Sequence, residues 1–289
     1  MSADLNPETL ELASRRGVRE ALSALGVRSS RRLGQNFLVE PAVLLRILET
    51  AQVQPEEAVL EVGPGLGVLT GELLRRAGRV VAVEIDRRLC AWLRRRFAHA
   101  PHFTLVENDI LKVAPGELMG QAPYLVVANL PYAITSAALR HLLEAHPRPT
   151  RLVVMVQWEV GRRIAAAPPE MSLLALSVQY YARPEVVARV PAGAFFPIPQ
   201  VDSAVVRLEV SPQPRLSLPP EAFFRLVRAA FAHPRQQIGK TLASGLGRPR
   251  EEVAAALEEV GIDPRRRPET LALEEWEAVG QTLQKRACW

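Results

Sequence analysis

Residues 58–86 contain the pattern that most restricts how this chain can fold. An apolar run at 58–62 leads into a glycine-rich turn at 63–67 and then into a stretch with helical spacing. A second apolar run follows, and the segment ends on the acids Glu84 and Asp86. A strand, a turn, a helix and a second strand make a βαβ unit, which belongs to a parallel sheet. We therefore expect an α/β protein with helices on both faces of its sheet.

The turn reads Gly-Pro-Gly-Leu-Gly, and Glu84 lies 21 residues after Gly63. Glycines let the backbone approach a ligand closely, and an acid at this distance suits the two hydroxyls of a ribose. A dinucleotide-binding turn would place its third glycine where this chain has Val68, and no Gly-Lys-Ser or Gly-Lys-Thr follows the turn. A P-loop is therefore excluded, a nicotinamide dehydrogenase is a remote alternative, and a turn that serves packing alone is a weaker interpretation. The pattern is instead typical of methyltransferases that bind S-adenosylmethionine.

A second motif, Asn129-Leu130-Pro131-Tyr132, follows an apolar run at 124–128 that reads as a buried strand. In open α/β sheets, ligands bind at the carboxyl ends of the strands. An amide and an aromatic ring at such an end predict a site for a flat, hydrogen-bonding ligand such as a nucleobase.

Asp109 follows a third predicted strand at 103–107. Its carboxylate would accept a hydrogen bond from an adenine amino group, with Ile85 and Ile110 on the two faces of the ring. A helix cap is the alternative role for Asp109.

The segment 191–200 contains three prolines and a glycine, which favour an irregular loop around Phe195 and Phe196. One of these two rings is expected at the base, and packing of a lid against the core is the alternative.

Composition indicates a globular protein, with 48% hydrophobic and 23% charged residues. The formal charge of +5 favours nucleic acid only mildly, because nearly all basic residues are arginine and arginine enrichment can follow genome composition. Six arginines and one acid lie between Arg15 and Arg32, which fits a solvated face and a phosphate-contacting arm equally well. Cys90 and Cys288 form no Cys-X-X-Cys pair, so neither a disulfide framework nor a cysteine-based metal site is expected. With no leader-like start and no apolar run of spanning length, a soluble cytoplasmic protein is expected.

Six segments together resemble the KsgA/RsmA-type small-subunit ribosomal RNA adenine dimethyltransferases. They match the motifs of that family in order and with fitting gaps, and six ordered motifs are far more specific than any one of them. The matching segments are 33–38, 61–67, 84–86, 108–110, 129–132 and 195–203.

The resemblance implies a Rossmann-like, S-adenosylmethionine-dependent methyltransferase domain with a basic arm at 1–210, and a small all-helical domain at 211–289 that docks on the RNA. It implies dimethylation of the 6-amino groups of two adjacent adenosines near the 3′ end of 16S rRNA, late in small-subunit assembly. The implied cofactor is S-adenosyl-L-methionine. The implied partner is 16S rRNA in an assembly intermediate, and a monomer with no membrane partner is expected.

The resemblance also implies roles for individual residues. The catalytic set is Asn129, Leu130, Pro131 and Tyr132. The cofactor contacts are Asn36, Leu38, Gly63, Gly65, Glu84, Ile85, Asp109, Ile110 and Asn129. The rings that stack on the base are Tyr132, Phe195 and Phe196, and the RNA contacts are Arg31, Arg32, Arg235 and Lys240. No metal is expected.

The chemistry of an adenine amino group explains the choice of residues. Its nitrogen is a poor nucleophile because the lone pair is delocalised into the ring. The Asn129 oxygen and the carbonyl of either Leu130 or Pro131 would accept its two hydrogens and aim the lone pair at the methyl group. Catalysis then depends mainly on positioning.

Departures from the family lie outside the cofactor set. Trp158 stands where members usually carry Lys, residues 170–174 lack a usual Tyr-Gly pair, and 237–242 carries less charge. These departures concern RNA docking. The rival interpretations are an Erm-type methyltransferase of large-subunit rRNA and a non-catalytic assembly factor that binds RNA.

Overall fold

A computed structural model describes residues 5–26 and 35–286 of the chain. The predicted RNA contacts Arg31 and Arg32 lie outside the described residues. No helix within these two ranges has the length and apolar character that crossing a membrane requires.

The described residues form nine strands and thirteen α-helices. The strands are β1 (Phe37–Leu38), β2 (Ala58–Val62), β3 (Arg79–Glu84), β4 (Phe103–Glu107), β5 (Tyr124–Asn129), β6 (Arg151–Gln157), β7 (Ala182–Val190), β8 (Phe195–Phe196) and β9 (Ser203–Val210). The helices are α1 (Pro7–Leu12), α2 (Arg15–Ala24), α3 (Pro41–Ala51), α4 (Val68–Leu74), α5 (Arg87–Arg96), α6 (Pro115–Met119), α7 (Thr135–Leu143), α8 (Trp158–Ile164), α9 (Leu173–Gln179), α10 (Pro220–Phe231), α11 (Ile238–Leu246), α12 (Arg250–Glu259) and α13 (Leu273–Lys285).

A seven-stranded sheet is the centre of the fold, with the strand order β4-β3-β2-β5-β6-β9-β7. The pairs β2–β3, β3–β4, β2–β5 and β5–β6 are parallel, and β9 runs antiparallel to β6. Strands β2 and β5 are buried along nearly their whole length, as expected for strands covered on both faces. The predicted α/β class with a parallel-rich sheet and flanking helices is confirmed.

The sheet order reverses direction at β2. The chain builds outward from β2 through β3 to β4 and then returns to place β5 on the other side of β2. Such a reversal opens a crevice at the carboxyl ends of the two neighbouring strands, and this is where open α/β sheets bind ligands. The glycine turn follows β2 and Asn129 ends β5, so the two main sequence motifs meet at this crevice.

Two compact units divide the chain. One contains the described residues up to Gly161 together with Glu185–Val210, and the other contains Arg162–Pro184 together with the described residues from Ser211 onward. Residues 162–184 thus pack with the C-terminal helices, whereas the boundary expected from the sequence lies at 210. That domain boundary stays a prediction.

The C-terminal unit contains α11, which the sequence patterns do not predict. Gly239 and Gly245 in this helix read as helix breakers. Their role is close packing, because a Cβ at Gly245 would lie 2.6 Å from the Ala229 side chain and one at Gly239 would lie 3.0 Å from Pro264. The gain from close packing therefore outweighs the low helix propensity of glycine here.

Candidate active site

The glycine turn after β2 has a backbone that other residues adopt only with strain. Gly65 has φ 61° and Gly67 has φ 84°, both in the left-handed region. A Cβ at Gly67 would lie 2.7 Å from the Phe97 ring, so this position also requires glycine for packing. The Trp92 indole donates to the Leu66 carbonyl at 3.0 Å and holds the turn from the side of α5.

Glu84, at the end of β3, is tied to this turn by hydrogen bonds. Its Oε1 accepts from the amides of Ile85 and Asp86, each at 2.9 Å, and its Oε2 accepts from the Gly65 amide at 3.2 Å. Burial raises the pKa of Glu84. The hydrogen bonds from these three amides oppose the rise only in part, so the pKa of Glu84 lies above its ordinary value. The carboxylate is thereby held rigidly with a lone pair on Oε2 still available.

Apolar residues lie beside Glu84 at the carboxyl ends of β3 and β4. The Ile85 side chain is 54% exposed although it is large and apolar, while Ile110 is buried, and both line the same cavity. The Asp109 Oδ1 accepts from the Leu111 amide at 3.0 Å, so the capping role of Asp109 is real. Asp109 also lines the cavity, and the cap leaves its second oxygen available there.

The end of β5 presents two acceptors. Asn129 donates from Nδ2 to the Asn36 carbonyl at 3.1 Å, and this bond fixes the orientation of the side-chain amide. No described residue donates to the Asn129 Oδ1. The Pro131 carbonyl already accepts from the Ile134 amide at 3.1 Å and from the Thr135 hydroxyl at 3.2 Å. The Leu130 amide donates to the Met155 carbonyl at 3.1 Å, and no described group donates to the Leu130 carbonyl. Of the two carbonyls left open by the sequence, Leu130 is therefore the available one.

Tyr132 is anchored by a contact with a distant part of the chain. Its hydroxyl lies 2.6 Å from the hydroxyl of Ser203, the fully buried first residue of β9. Burial raises the pKa of Tyr132, and the hydrogen bond to Ser203 opposes that rise. The ring is thereby held at a defined angle beside Asn129.

Ser203→Ala is expected to slow methyl transfer about 2- to 10-fold, because one hydrogen bond contributes about 0.5–1.5 kcal/mol. Tyr132→Phe removes the same bond from the other side. The double variant should therefore be no slower than the worse single variant when single-turnover rates are compared. Multiplicative effects of the two changes would contradict the positioning role of Ser203.

These groups line one cavity of about 230 Å³. Every predicted catalytic and cofactor residue lines it: Asn36, Leu38, Gly63, Gly65, Glu84, Ile85, Asp109, Ile110, Asn129, Leu130, Pro131 and Tyr132. Three carboxyl groups line the cavity, those of Glu61, Glu84 and Asp109. No Arg, Lys or His of the described residues lines it. The roles of these residues stay predictions, but the structure brings them together.

Glu61 is an acidic lining residue to which the sequence patterns assign no individual role. It lies within the apolar strand β2, is almost completely buried, and accepts from the Thr70 hydroxyl at 2.6 Å. Burial raises the pKa of Glu61 to about 8, with the Thr70 bond opposing and the charge of Glu84 adding to the rise. An acid within an otherwise apolar strand was the available signal.

Phe195 and Phe196 are not among the residues that line the cavity. Phe195 is fully buried in the hydrophobic core and lies opposite Leu38 in the β1–β8 pair. Phe196 is half-buried, with the Arg19 guanidinium 5.1 Å from its ring centroid. Stacking of either ring on a base stays a prediction, and the observed positions support packing.

The remaining predicted positions are not among the residues that line the cavity. Arg235 and Lys240 are exposed in the C-terminal unit, and their RNA contacts stay predictions. Trp158 lies under Arg189, whose guanidinium is 5.0 Å from the ring centroid, and the Asp202 carbonyl accepts from the Trp158 amide at 2.9 Å. Within the described ranges, no group of three or more His, Cys, Asp or Glu is arranged to hold a metal ion.

Comparisons with known proteins show how widely this architecture is shared. A relative from Dehalococcoides mccartyi, named ribosomal RNA small subunit methyltransferase A, is 45% identical over 272 residues, which cover 93% of this chain and 94% of the relative. A protein of the same name from Moorella thermoacetica is 46% identical, with 87% and 91% covered. The crystal structure of the 23S rRNA methyltransferase ErmE is 32% identical with a TM-score of 0.69, covering 86% of this chain and 100% of that one.

A dimethyladenosine transferase from Plasmodium falciparum shares the fold at 22% identity, with a TM-score of 0.76 over 87% of this chain and 98% of that one. The family model described as ribosomal RNA adenine dimethylase matches residues 26–285. That match covers the glycine turn, the Asn129–Tyr132 motif and the C-terminal helices. This chain therefore belongs to the ribosomal RNA adenine dimethylase family.

Proposed function

We propose that the protein dimethylates the 6-amino groups of two adjacent adenosines near the 3′ end of 16S rRNA, with S-adenosylmethionine as the methyl donor. Family membership makes it an adenine dimethyltransferase of ribosomal RNA. The donor, the pair of adenosines and their setting in a small-subunit assembly intermediate are the proposed part. One observation carries it: a single cavity combines two unused oxygen acceptors with a lining that, among the described residues, is acidic and has no basic side chain.

The lining suits a cationic cofactor. S-adenosylmethionine carries a net positive charge and supplies an electrophilic methyl group when bound. A nicotinamide dinucleotide carries phosphates, and the described lining includes no cation to hold them. Glu84 would accept from the ribose hydroxyls, Asp109 would accept from the adenine amino group, and Ile85 and Ile110 would contact the ring. These electrostatics disfavour the dehydrogenase alternative independently of the glycine spacing.

Positioning explains how the chain would activate the target nitrogen. Asn129 Oδ1 and the Leu130 carbonyl would accept the two hydrogens of the amino group, which favours a pyramidal nitrogen with a directed lone pair. Tyr132 would stack on the base, and stacking is worth about 1–3 kcal/mol, comparable with the cost of unstacking a base. No strong general base is needed, because the proton becomes acidic once the methyl group has been transferred.

Sequence similarity favours the small subunit over the large one. Relatives named small subunit methyltransferase A match this chain at 39–47% identity, whereas ErmE, a 23S rRNA methyltransferase, is 32% identical. The intact Asn129–Tyr132 motif and the held Glu84 carboxylate argue against a purely non-catalytic assembly factor. Binding to an immature subunit and methylation are compatible roles.

The function can be tested with a labelled methyl donor. Small subunits that lack the modification should accept label on two adjacent adenosines near the 3′ end of their 16S rRNA, up to two methyl groups on each, as mapped by mass spectrometry. Large subunits serve as the alternative substrate, and preferential labelling of their RNA would overturn the proposal. We also propose a cytoplasmic location and action as a monomer, and sedimentation of the purified protein tests the monomeric state.

Glu84→Gln is expected to weaken binding of S-adenosylmethionine roughly 10- to 100-fold, because hydrogen bonds to a charged group contribute about 1.5–3 kcal/mol. Titration calorimetry measures this change directly. Glu107→Gln is the matched control, since Glu107 lies opposite Glu84 on β4, does not line the cavity and pairs with Arg94. Equal losses in both variants would contradict a specific contact of Glu84 with the donor.

A further inference from the structure

Glu61 is a buried acid on the cavity wall, and the proposed reaction has no use for it as an acid or a base. Its neighbours are few. The Thr70 hydroxyl of α4 donates to it, Glu84 of β3 acts on it by charge, and its register partners on β3 and β5 are the apolar Ala82 and Val127. No Arg, Lys or His from the described ranges shares the cavity lining with it. The described residues that line the cavity therefore offer no compensating positive charge to a carboxylate there.

The donor and the product of a methyl transfer differ by one positive charge. S-adenosylmethionine contains a sulfonium, whereas S-adenosylhomocysteine contains a neutral thioether and is otherwise the same molecule. A cavity wall that can gain one negative charge will distinguish them, because an opposite charge within about 4–6 Å favours the ionised form of a carboxyl group.

We propose that Glu61 makes the cavity select the methyl donor over its demethylated product: the carboxyl keeps its proton when the cavity is empty or holds the product, and releases it when the cationic donor binds. This inference deepens the proposed function and depends on its choice of donor. The O–H bond on Glu61 Oε1 breaks, the proton passes to bulk water, and Oε2 continues to accept from the Thr70 hydroxyl in both states. No other bond changes.

The resting state of Glu61 suits this role. Its pKa of about 8 leaves the carboxyl mostly protonated near neutral pH. A nearby positive charge lowers the pKa of a carboxyl group by roughly 1–3, which would leave the Glu61 carboxyl mostly ionised in the donor complex. Selection for the donor would thus increase with pH through the neutral range, would level off above about pH 8, and would assist departure of the product.

Calorimetry of the full chain can count the protons. Both ligands are titrated near neutral pH in two buffers of different ionisation enthalpy. The wild type should release roughly 0.5–1 proton more with S-adenosylmethionine than with S-adenosylhomocysteine, and the ratio of the two affinities should rise about 3- to 10-fold per pH unit. The α-amino group is common to both ligands, so its own titration cancels in the comparison.

Glu61→Gln is the decisive variant. Glutamine keeps the shape and can still accept from Thr70, but it cannot ionise, so the proton difference should vanish and the affinity ratio should become independent of pH. A proton difference that persists in this variant would overturn the proposal, because the proton would then come from another group.

Thr70→Val is a second variant, useful where the first fails to fold. Thr70 does not line the cavity, and its loss removes a bond that favours the ionised carboxyl. The pH at which donor selectivity rises should therefore move upward, and an unchanged pH would overturn the proposal. Failure of the wild type to bind either ligand would instead contradict the choice of donor, while equal proton release with both ligands would contradict only the role of Glu61.

Discussion

Asn129→Ala is expected to slow methyl transfer to small subunits by about 10²–10³-fold, the loss typical when one preorganised hydrogen-bonding group is removed from an active site. The variant loses the Oδ1 acceptor, so only the Leu130 carbonyl remains for the target amino group. It also loses the bond from Nδ2 to the Asn36 carbonyl, which measures 3.1 Å and joins β5 to the residue before β1.

Single-turnover rates on small subunits that lack the modification measure this effect. Binding of the variant to those subunits should remain within about 3-fold of the wild type, because Asn129 contributes one contact to a large interface. Gln54→Ala is the matched control, since Gln54 is an exposed amide just before β2, at the opposite edge of the sheet. Transfer by Asn129→Ala at a rate close to that of the control would contradict the proposed role.

Glu61→Gln is expected to raise the free energy of unfolding at alkaline pH by on the order of 5 kcal/mol, because the pKa of Glu61 differs by about 3.5 between the folded and unfolded states and one pKa unit corresponds to about 1.4 kcal/mol. The folded protein holds the Glu61 proton up to about pH 8, whereas the unfolded chain releases it near the ordinary glutamate pKa of 4.5. Between these two values the folded state binds more protons, so the free energy of unfolding of the wild type falls as the pH rises. Glutamine has no proton to lose, so the variant escapes this fall.

Chemical denaturation at about pH 5 and about pH 9 measures the difference between variant and wild type, which should be near zero at the lower pH and large at the higher one. Glu72→Gln is a control of opposite sign. Burial tends to raise the pKa of Glu72, but bonds from the Asn6 amide, Arg76 and Thr9 outweigh it and lower the pKa. That contribution to stability is present above the unfolded pKa and is lost as the pH falls, so Glu72→Gln should destabilise the protein at about pH 9. A Glu61→Gln effect that is the same at both pH values would contradict a protonated Glu61.

Tertiary packing determines two features that local sequence patterns do not show. The α11 helix escapes prediction because Gly239 and Gly245 lower helix propensity, and their close contacts with Pro264 and Ala229 are not visible in the local pattern. The prolines around Phe195 indicate an irregular loop, which would leave its ring free to cover the base. The ring lies in the core instead, because β8 pairs with β1.

The amino-acid sequence by itself determines the βαβ unit, the glycine turn and the order of the motifs, because strands and turns follow from local spacing of apolar residues and glycines. It also places Glu84 and Asn129 at strand ends, and carboxyl ends of parallel strands share one edge of the sheet. Only the tertiary structure decides that the Leu130 carbonyl is available while that of Pro131 is occupied, that Ser203 holds Tyr132, and that burial raises the pKa of Glu61. These properties depend on which groups lie within a few ångströms of one another, and packing brings together residues as far apart in sequence as Tyr132 and Ser203, which are separated by 71 positions.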